Sequence, residues 1–130
     1  MLATLTETST PTFVLQQMRQ LMLQSDSGRK ILHERPRIST QSVNIDELKQ
    51  LKPGTLGREY SLWLERCGVS PDTRDPVHYI DDEELAYIVQ RYRESNDLYH
   101  LLLGQRVDIL SELIVKWFGE CDTYINSCMK

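Results

Sequence analysis

The chain has 130 residues and a mass of 15.2 kDa, which gives room for one small domain with one core. Its hydrophobic fraction of 40% is ordinary for a globular protein, and its net charge is -4 with acidic and basic residues interspersed. This charge pattern excludes nucleic-acid partners, which require a clustered basic surface, and no apolar run reaches the roughly 18 residues that cross a bilayer. Any membrane contact is therefore expected to be peripheral.

The first third of the chain predicts a disordered segment followed by two helices. Residues 1–10 are rich in Thr and Ser and contain Glu7 but no Arg, unlike a mitochondrial presequence. Thr10-Pro11 predicts the start of a helix, with Thr10 at the cap and Pro11 at the first helical position. Apolar side chains recur there at helical spacing: Phe13, Val14, Met18, Leu21 and Met22. This face either packs in the core or lines a groove for a lipid tail.

Polar capping residues mark the helices that follow. Ser25 or Ser27 predicts a second helix that ends before Pro36, and residues 37–43 read as a linker. Asn44 predicts a short third helix, and Thr55 a fourth that ends at Gly68. Apolar residues repeat along one face of the fourth helix: Leu56, Tyr60, Trp63, Leu64 and Cys67.

A charged loop from Val69 to Tyr79 separates these helices from the last two. The loop is either a solvated surface or a lid whose Arg74 meets an anionic group. Asp81 or Asp82 then predicts a long helix that ends at Gly104, and a sixth helix begins after Arg106. The expected inner face of the sixth helix carries Ile109, Leu110, Leu113, Ile114 and Trp117. No segment alternates as a strand does, so the fold class is all-α with about six helices.

Four polar residues near the C-terminus are spaced to converge. Asn96, Asp97 and His100 share one helix, and Glu112 comes from the next. Imidazole and carboxylate groups on two antiparallel helices commonly bind a divalent metal. Asp97 and His100 alone could equally form a structural hydrogen-bonded pair.

This pattern resembles the metal motif of the Coq-four family of ubiquinone biosynthesis proteins, which reads His-Asp-x-x-His, eleven residues, Glu. Asn96 stands where the family has its first His, and an amide oxygen is a poorer zinc ligand than imidazole nitrogen. Further segments resemble the family in order: Arg35-Pro36-Arg37-Ile38, residues 54–60, residues 68–77, Glu84-Leu85-Ala86-Tyr87, residues 90–94 and Val115-Lys116-Trp117-Phe118. The resemblance covers roughly residues 15–118 and identifies the chain as a divergent member.

The resemblance implies a role in ubiquinone biosynthesis and a site built from Asp97, His100 and Glu112. These residues would hold zinc in a lyase that removes the C1 carboxyl of a 4-hydroxy-3-methoxy-5-polyprenylbenzoate. The alternative is a non-catalytic scaffold that organises other coenzyme Q proteins and a polyprenyl lipid intermediate. Either role implies a peripheral position on the matrix side of the mitochondrial inner membrane.

Two further expectations concern the end of the chain. Family members continue with more helices after the equivalent of Phe118, so residues 11–130 are expected to form a helical domain without them. The apolar faces left uncovered predict a homodimer, bound lipid or aggregation. Cys121 and Cys128 lie seven residues apart, and with Cys67 they make an odd count that predicts buried thiols rather than disulfides.

Overall fold

A computed structural model describes residues 11–128 of the chain, and it describes side chains as far as Gly119. Within residues 11–128 the chain forms six α-helices and no strand, which confirms the all-α class. The helices are α1 (Thr12–Leu23), α2 (Asp26–Glu34), α3 (Ile45–Lys49), α4 (Leu56–Cys67), α5 (Glu83–Leu102) and α6 (Ile109–Cys128), with a 3-10 turn at Pro71–Thr73. None of the described helices is both long and apolar enough to span a bilayer. The predictions for residues 1–10 and for the side chains of Cys121 and Cys128 lie outside the described part.

Most of the helices begin next to the capping residues that the sequence predicts. Ser25 caps α2, Asn44 caps α3 through two backbone N–H groups, and Asp82 accepts from two N–H groups of α5 at 2.9 Å each. Gly68 ends α4 with a φ of 65°, a left-handed conformation that glycine adopts without strain. The start of α1 differs by one position from its prediction, because Pro11 is the N-cap residue and the helix begins at Thr12.

Among the described residues, 11–43 and 71–94 make up one compact unit, here called unit 1. Its buried apolar cluster consists of Leu15, Leu32, Leu85, Tyr87 and Ile88. Met18 and Met22 of α1 pack against this cluster as predicted, but Phe13 is 60% exposed. The prediction that Phe13 lies on the inner face of α1 is therefore wrong. Leu15 is the side chain of α1 that is buried in the core.

The buried carboxylate of Glu94 and the neighbouring amide of Gln90 join two irregular segments of unit 1 to α5. Glu94 is 4% exposed and accepts hydrogen bonds from Arg37 Nε at 2.6 Å, from the Ile38 backbone N–H at 2.8 Å and from Gln90 Nε2 at 3.1 Å. Gln90 in turn accepts from the backbone N–H of Val77 at 3.1 Å. This network satisfies polar groups that would be costly to bury alone.

The loop over residues 71–79 is held by specific hydrogen bonds. Asp72 accepts from the backbone N–H of Thr40 at 3.0 Å and also from the Thr40 hydroxyl. Both hydrogen bonds lower the pKa of the Asp72 carboxyl, and the bond from the Thr40 hydroxyl has the larger effect. Arg74 donates to the backbone carbonyl of Arg93. The expected meeting of Arg74 with an anionic group stays a prediction.

Gly28 offers the clearest stability prediction in unit 1. A Cβ at this buried position would overlap the backbone carbonyl of Met22, which cannot rotate away as a side chain could. We expect Gly28→Ala to lower the free energy of unfolding by about 2–3 kcal/mol, the range of a severe steric clash. Urea unfolding measures this, with Gly119→Ala as the control because, among the described residues, no atom outside the helix's own backbone lies within 4 Å of a Cβ there. Equal stability of the two variants would contradict this packing.

The described residues 44–70 and 95–128 make up a second compact unit, here called unit 2. Tyr60, Trp63 and Leu64 of α4 are its buried apolar cluster, as their spacing predicted. Partly buried side chains complete the packing: Ile45, Leu48, Cys67, Val69, Leu98 and Leu101. Trp63 also donates from its indole N–H to the Gln105 carbonyl at 2.9 Å, so the segment after α5 is tied to α4.

The orientation of α6 contradicts its prediction. The residues expected to face inward are exposed, with Ile109 at 78%, Leu110 at 68%, Leu113 at 60%, Trp117 at 70% and Ile114 at 37%. The buried side carries Ser111 and Val115 at 5% and 3% exposure. Polar contacts explain why α6 buries the side that carries Ser111. The Ser111 backbone N–H donates to Asp108 at 2.9 Å, and the Ser111 hydroxyl contacts Gln105 at 3.3 Å.

Candidate functional site

The candidate site lies in unit 2 on α5 and α6. Asn96, Asp97 and His100 lie in the last two turns of α5, and Glu112 lies in the first turn of α6. Asp97 and His100 are buried, whereas Asn96 and Glu112 are partly exposed. The segment from Leu103 to Asp108 brings the two helices together, and Gly104 allows the turn with a φ of 65°.

His100 and Glu112 meet in the structure. His100 is 1% exposed, and its Nε2 lies 3.2 Å from Oε1 of Glu112, whose side chain is 32% exposed. The two atoms are within hydrogen-bonding distance, and the tautomer of the imidazole decides which of them donates. The other ring nitrogen, Nδ1, has no hydrogen-bond partner in the described part of the chain. A buried polar atom without a partner is uncommon and is a mark of functional sites.

The pair fits a tetrahedral zinc site in its chemistry and spacing. Zinc binds imidazole nitrogen and carboxylate oxygen at about 2.0–2.1 Å, so two such atoms in a tetrahedral shell lie about 3.3 Å apart. The observed Nε2–Oε1 distance of 3.2 Å matches this edge. Among the described residues, however, no three His, Cys, Asp or Glu side chains come together as a metal-binding group. The structure therefore brings together His100 and Glu112, while the ligand roles of all four residues stay predictions.

Trp63, which lies beside His100, lines an open groove of about 850 Å³ in unit 2. The indole and the His100 imidazole are tilted by 37° with centroids 6.1 Å apart. The groove is lined partly by apolar side chains and partly by two exposed guanidinium groups: Leu56, Trp63, Leu101, Leu102, Arg66 and Arg106. Sequence reasoning placed Trp63 in the core correctly, but it did not identify the groove, because Arg66 and Arg106 are distant in sequence and belong to no motif.

The comparisons with known proteins agree on one family. The family model described as "Coenzyme Q (ubiquinone) biosynthesis protein Coq4" matches residues 1–130. A Coprinopsis cinerea protein named "Ubiquinone biosynthesis protein COQ4, mitochondrial" is 57% identical over 101 residues, which are 78% of this chain and 35% of that protein. The named homologues from Xenopus laevis and Homo sapiens are 47% and 48% identical, over 99% and 88% of this chain and 45% and 43% of their own lengths. No solved structure matches the chain.

The chain thus spans less than half the length of these curated relatives. Within that span the match runs from one end of the chain to the other, and the identity is far above what unrelated chains reach. The chain therefore belongs to the coenzyme Q (ubiquinone) biosynthesis protein Coq4 family.

Proposed function

We propose that the chain acts in ubiquinone biosynthesis as a metal-dependent carboxy-lyase on a 4-hydroxy-3-methoxy-5-polyprenylbenzoate. Membership in the Coq4 family supports the pathway. The His100–Glu112 pair supports the metal-dependent reaction, because its 3.2 Å N–O distance equals the separation of two zinc ligands. This distance is the observation that carries the proposal.

His100 and Glu112 would hold the metal, and Asp97 would join them after a change of its side-chain rotamer. Bound zinc supplies a Lewis acid that polarises substrate oxygens. Burial keeps the His100 imidazole fixed on α5, and Trp63 packs beside it and limits the access of water. Asn96 occupies the remaining ligand position with a weaker oxygen donor.

The groove beside Trp63 gives this substrate class a place to bind. Loss of carbon dioxide leaves a ring carbon that must take up a proton, and water that enters the open groove can supply it. Arg66 and Arg106 provide positive charge for the substrate carboxylate, while Leu56, Leu101 and Leu102 provide apolar surface.

The test is the metal content of the purified chain after incubation with zinc and removal of unbound ion. We expect close to one zinc per chain for the wild type and a loss of stoichiometric zinc in His100→Ala. The chain offers two matched controls, because His33 and His78 are both exposed and should keep the metal when changed to Ala. An equal zinc content in His100→Ala and the controls would refute a site at His100.

We also propose that the chain works beside other coenzyme Q proteins on the matrix side of the mitochondrial inner membrane. The names of the relatives include the word "mitochondrial", and this supports the compartment. The exposed apolar side chains of α6 suit either a protein partner or the edge of a membrane. Fractionation of cells that express the tagged chain would test it: recovery outside mitochondria would contradict the location.

A further inference from the structure

Trp63 reaches from α4 to two places beside the His100–Glu112 pair. Its ring lies next to the His100 imidazole, with centroids 6.1 Å apart. Its indole N–H donates to the backbone carbonyl of Gln105 at 2.9 Å. The side chain is 6% exposed, and a buried indole N–H is costly to leave without an acceptor. Trp63 therefore connects α4 both to α5 and to the segment that follows α5.

The segment between α5 and α6 determines where α6 begins. Its first part is bonded to α5, since the backbone N–H of Gln105 donates to the carbonyl of His100 at 2.7 Å. Its last residue, Asp108, accepts from the backbone N–H of Glu112 at 2.9 Å. At Gln105, the hydrogen bond from Trp63 adds a connection to α4. A shift of this segment would therefore move Glu112 relative to His100.

We infer that Trp63 is a positioning residue: its hydrogen bond to Gln105 holds the segment between α5 and α6 so that Glu112 stays 3.2 Å from His100. The side chains of a metal site must be held to within roughly 0.5 Å of their working positions. His100 and Glu112 do not fix their own separation, because they lie on different helices. For zinc binding the inference rests on the proposed metal site, whereas the contact between the two side chains can be measured without metal.

A purely structural role for Trp63 predicts a different result. A core residue that only fills space lowers the stability of the chain when it is made smaller, but it does not change the contact between His100 and Glu112. Leu64 provides this comparison, because it is 4% exposed and belongs to the same buried cluster. Leu64→Ala leaves a cavity in the core and keeps the indole bond to Gln105.

Nuclear magnetic resonance of the metal-free chain reports on the contact directly. The chain has three histidines, and changing the exposed His33 and His78 to Gln leaves His100 as the only imidazole. In this background Glu112→Ala should shift the signals of the two His100 ring nitrogens, because it removes the carboxylate beside Nε2. The size of that shift measures how closely the two side chains meet.

Trp63→Phe removes the indole N–H and keeps an aromatic ring beside His100. In the Trp63→Phe chain, we expect Glu112→Ala to shift the ring signals much less than it does in the parent chain. In the Leu64→Ala chain the shift should be as large as in the parent, although the chain is less stable. A shift of full size in a folded Trp63→Phe chain would overturn the inference.

An unnatural side chain covers the case in which the smaller Phe ring disturbs the core. In a Trp117→Phe chain Trp63 is the only tryptophan, so benzothienylalanine can be incorporated at that position alone. Its sulfur replaces the indole N–H while the two fused rings keep their shape, a change that a packed core tolerates well. The Glu112→Ala shift should again become much smaller, and a shift of unchanged size would overturn the inference.

Zinc affinity separates this inference from the proposed function. We expect Trp63→Phe to raise the Kd for zinc about 10–100-fold, the range typical of residues that support metal ligands. Trp117→Phe is the matched control, because it makes the same substitution at a tryptophan that is 70% exposed, and it should leave the Kd unchanged. Equal affinity in the wild type and Trp63→Phe would overturn the inference and leave the metal site standing. A wild type that binds no zinc would refute the metal site, and the shifts of the metal-free chain would still decide the role of Trp63.

Discussion

Asn96→His is expected to tighten zinc binding by more than about 100-fold, beyond the roughly 10–100-fold effect of a change next to the ligands. Residue 96 lies one helical turn before His100, so an imidazole there lies on the same row of α5. In the proposed site, nitrogen would replace a weak amide oxygen beside the His100–Glu112 pair. The gain should shrink as the pH falls below about 6, because histidine binds metal only in its neutral form.

Titration calorimetry of zinc into both proteins measures this change, provided that both chains are shown to be folded. Tyr99→His is the control: it adds an imidazole to the same helix, but about 100° around the axis from His100. An unchanged affinity in Asn96→His would mean that residue 96 points away from the metal, and the ligand set carried over from the family would fail. A gain that is equally large in Tyr99→His would show that surface imidazoles bind the ion.

The helix ends were predictable because local residues determine them. Ser25, Asn44 and Asp82 each accept from backbone N–H groups within three residues, so the sequence near each start contains the whole interaction. Gly68 ends α4 for an equally local reason. The buried face of α4 also follows its apolar spacing at Tyr60, Trp63 and Leu64, although Leu56 at the helix start is 54% exposed.

The face of α6 was not predictable from periodicity alone. Its apolar stripe predicts that this side is covered, but the pattern does not say whether the cover is the same chain or another one. Contacts of Ser111 and Glu112 with Gln105 and His100 turn the stripe outward, and these contacts join different elements. The convergence of His100 and Glu112 was expected from their spacing on two neighbouring helices, but spacing along the chain does not fix the distance between them.

The buried polar network around Glu94 was missed for a related reason. A helical Glu is usually exposed, and the sequence around it resembles any charged helix surface. Its partners Arg37 and Ile38 lie 57 and 56 residues away. No local signal reveals that three donors converge on one carboxylate.

Glu94→Ala is therefore expected to lower the free energy of unfolding by about 2–4 kcal/mol, the cost of leaving two buried hydrogen-bond donors without their acceptor. The Ile38 N–H and the Gln90 amide lose their acceptor inside the protein, whereas Arg37, whose side chain is 54% exposed, can turn to water. Glu94→Gln should cost less than Glu94→Ala, because its one carbonyl oxygen still accepts from Ile38 while its amino group faces the other donors.

Glu34→Ala provides the matched comparison, because the same substitution there removes an exposed pair with Lys30 whose N–O distance is 3.9 Å. Exposed pairs of this kind contribute less than about 1 kcal/mol, and i,i+4 helix pairs about 0.3–0.5 kcal/mol. Urea unfolding of the three variants and the wild type gives all four values under the same conditions. If Glu94→Ala were no more damaging than Glu34→Ala, the Glu94 carboxylate would not hold residues 37–38 on α5, and another interaction would have to secure the segment between α2 and α3.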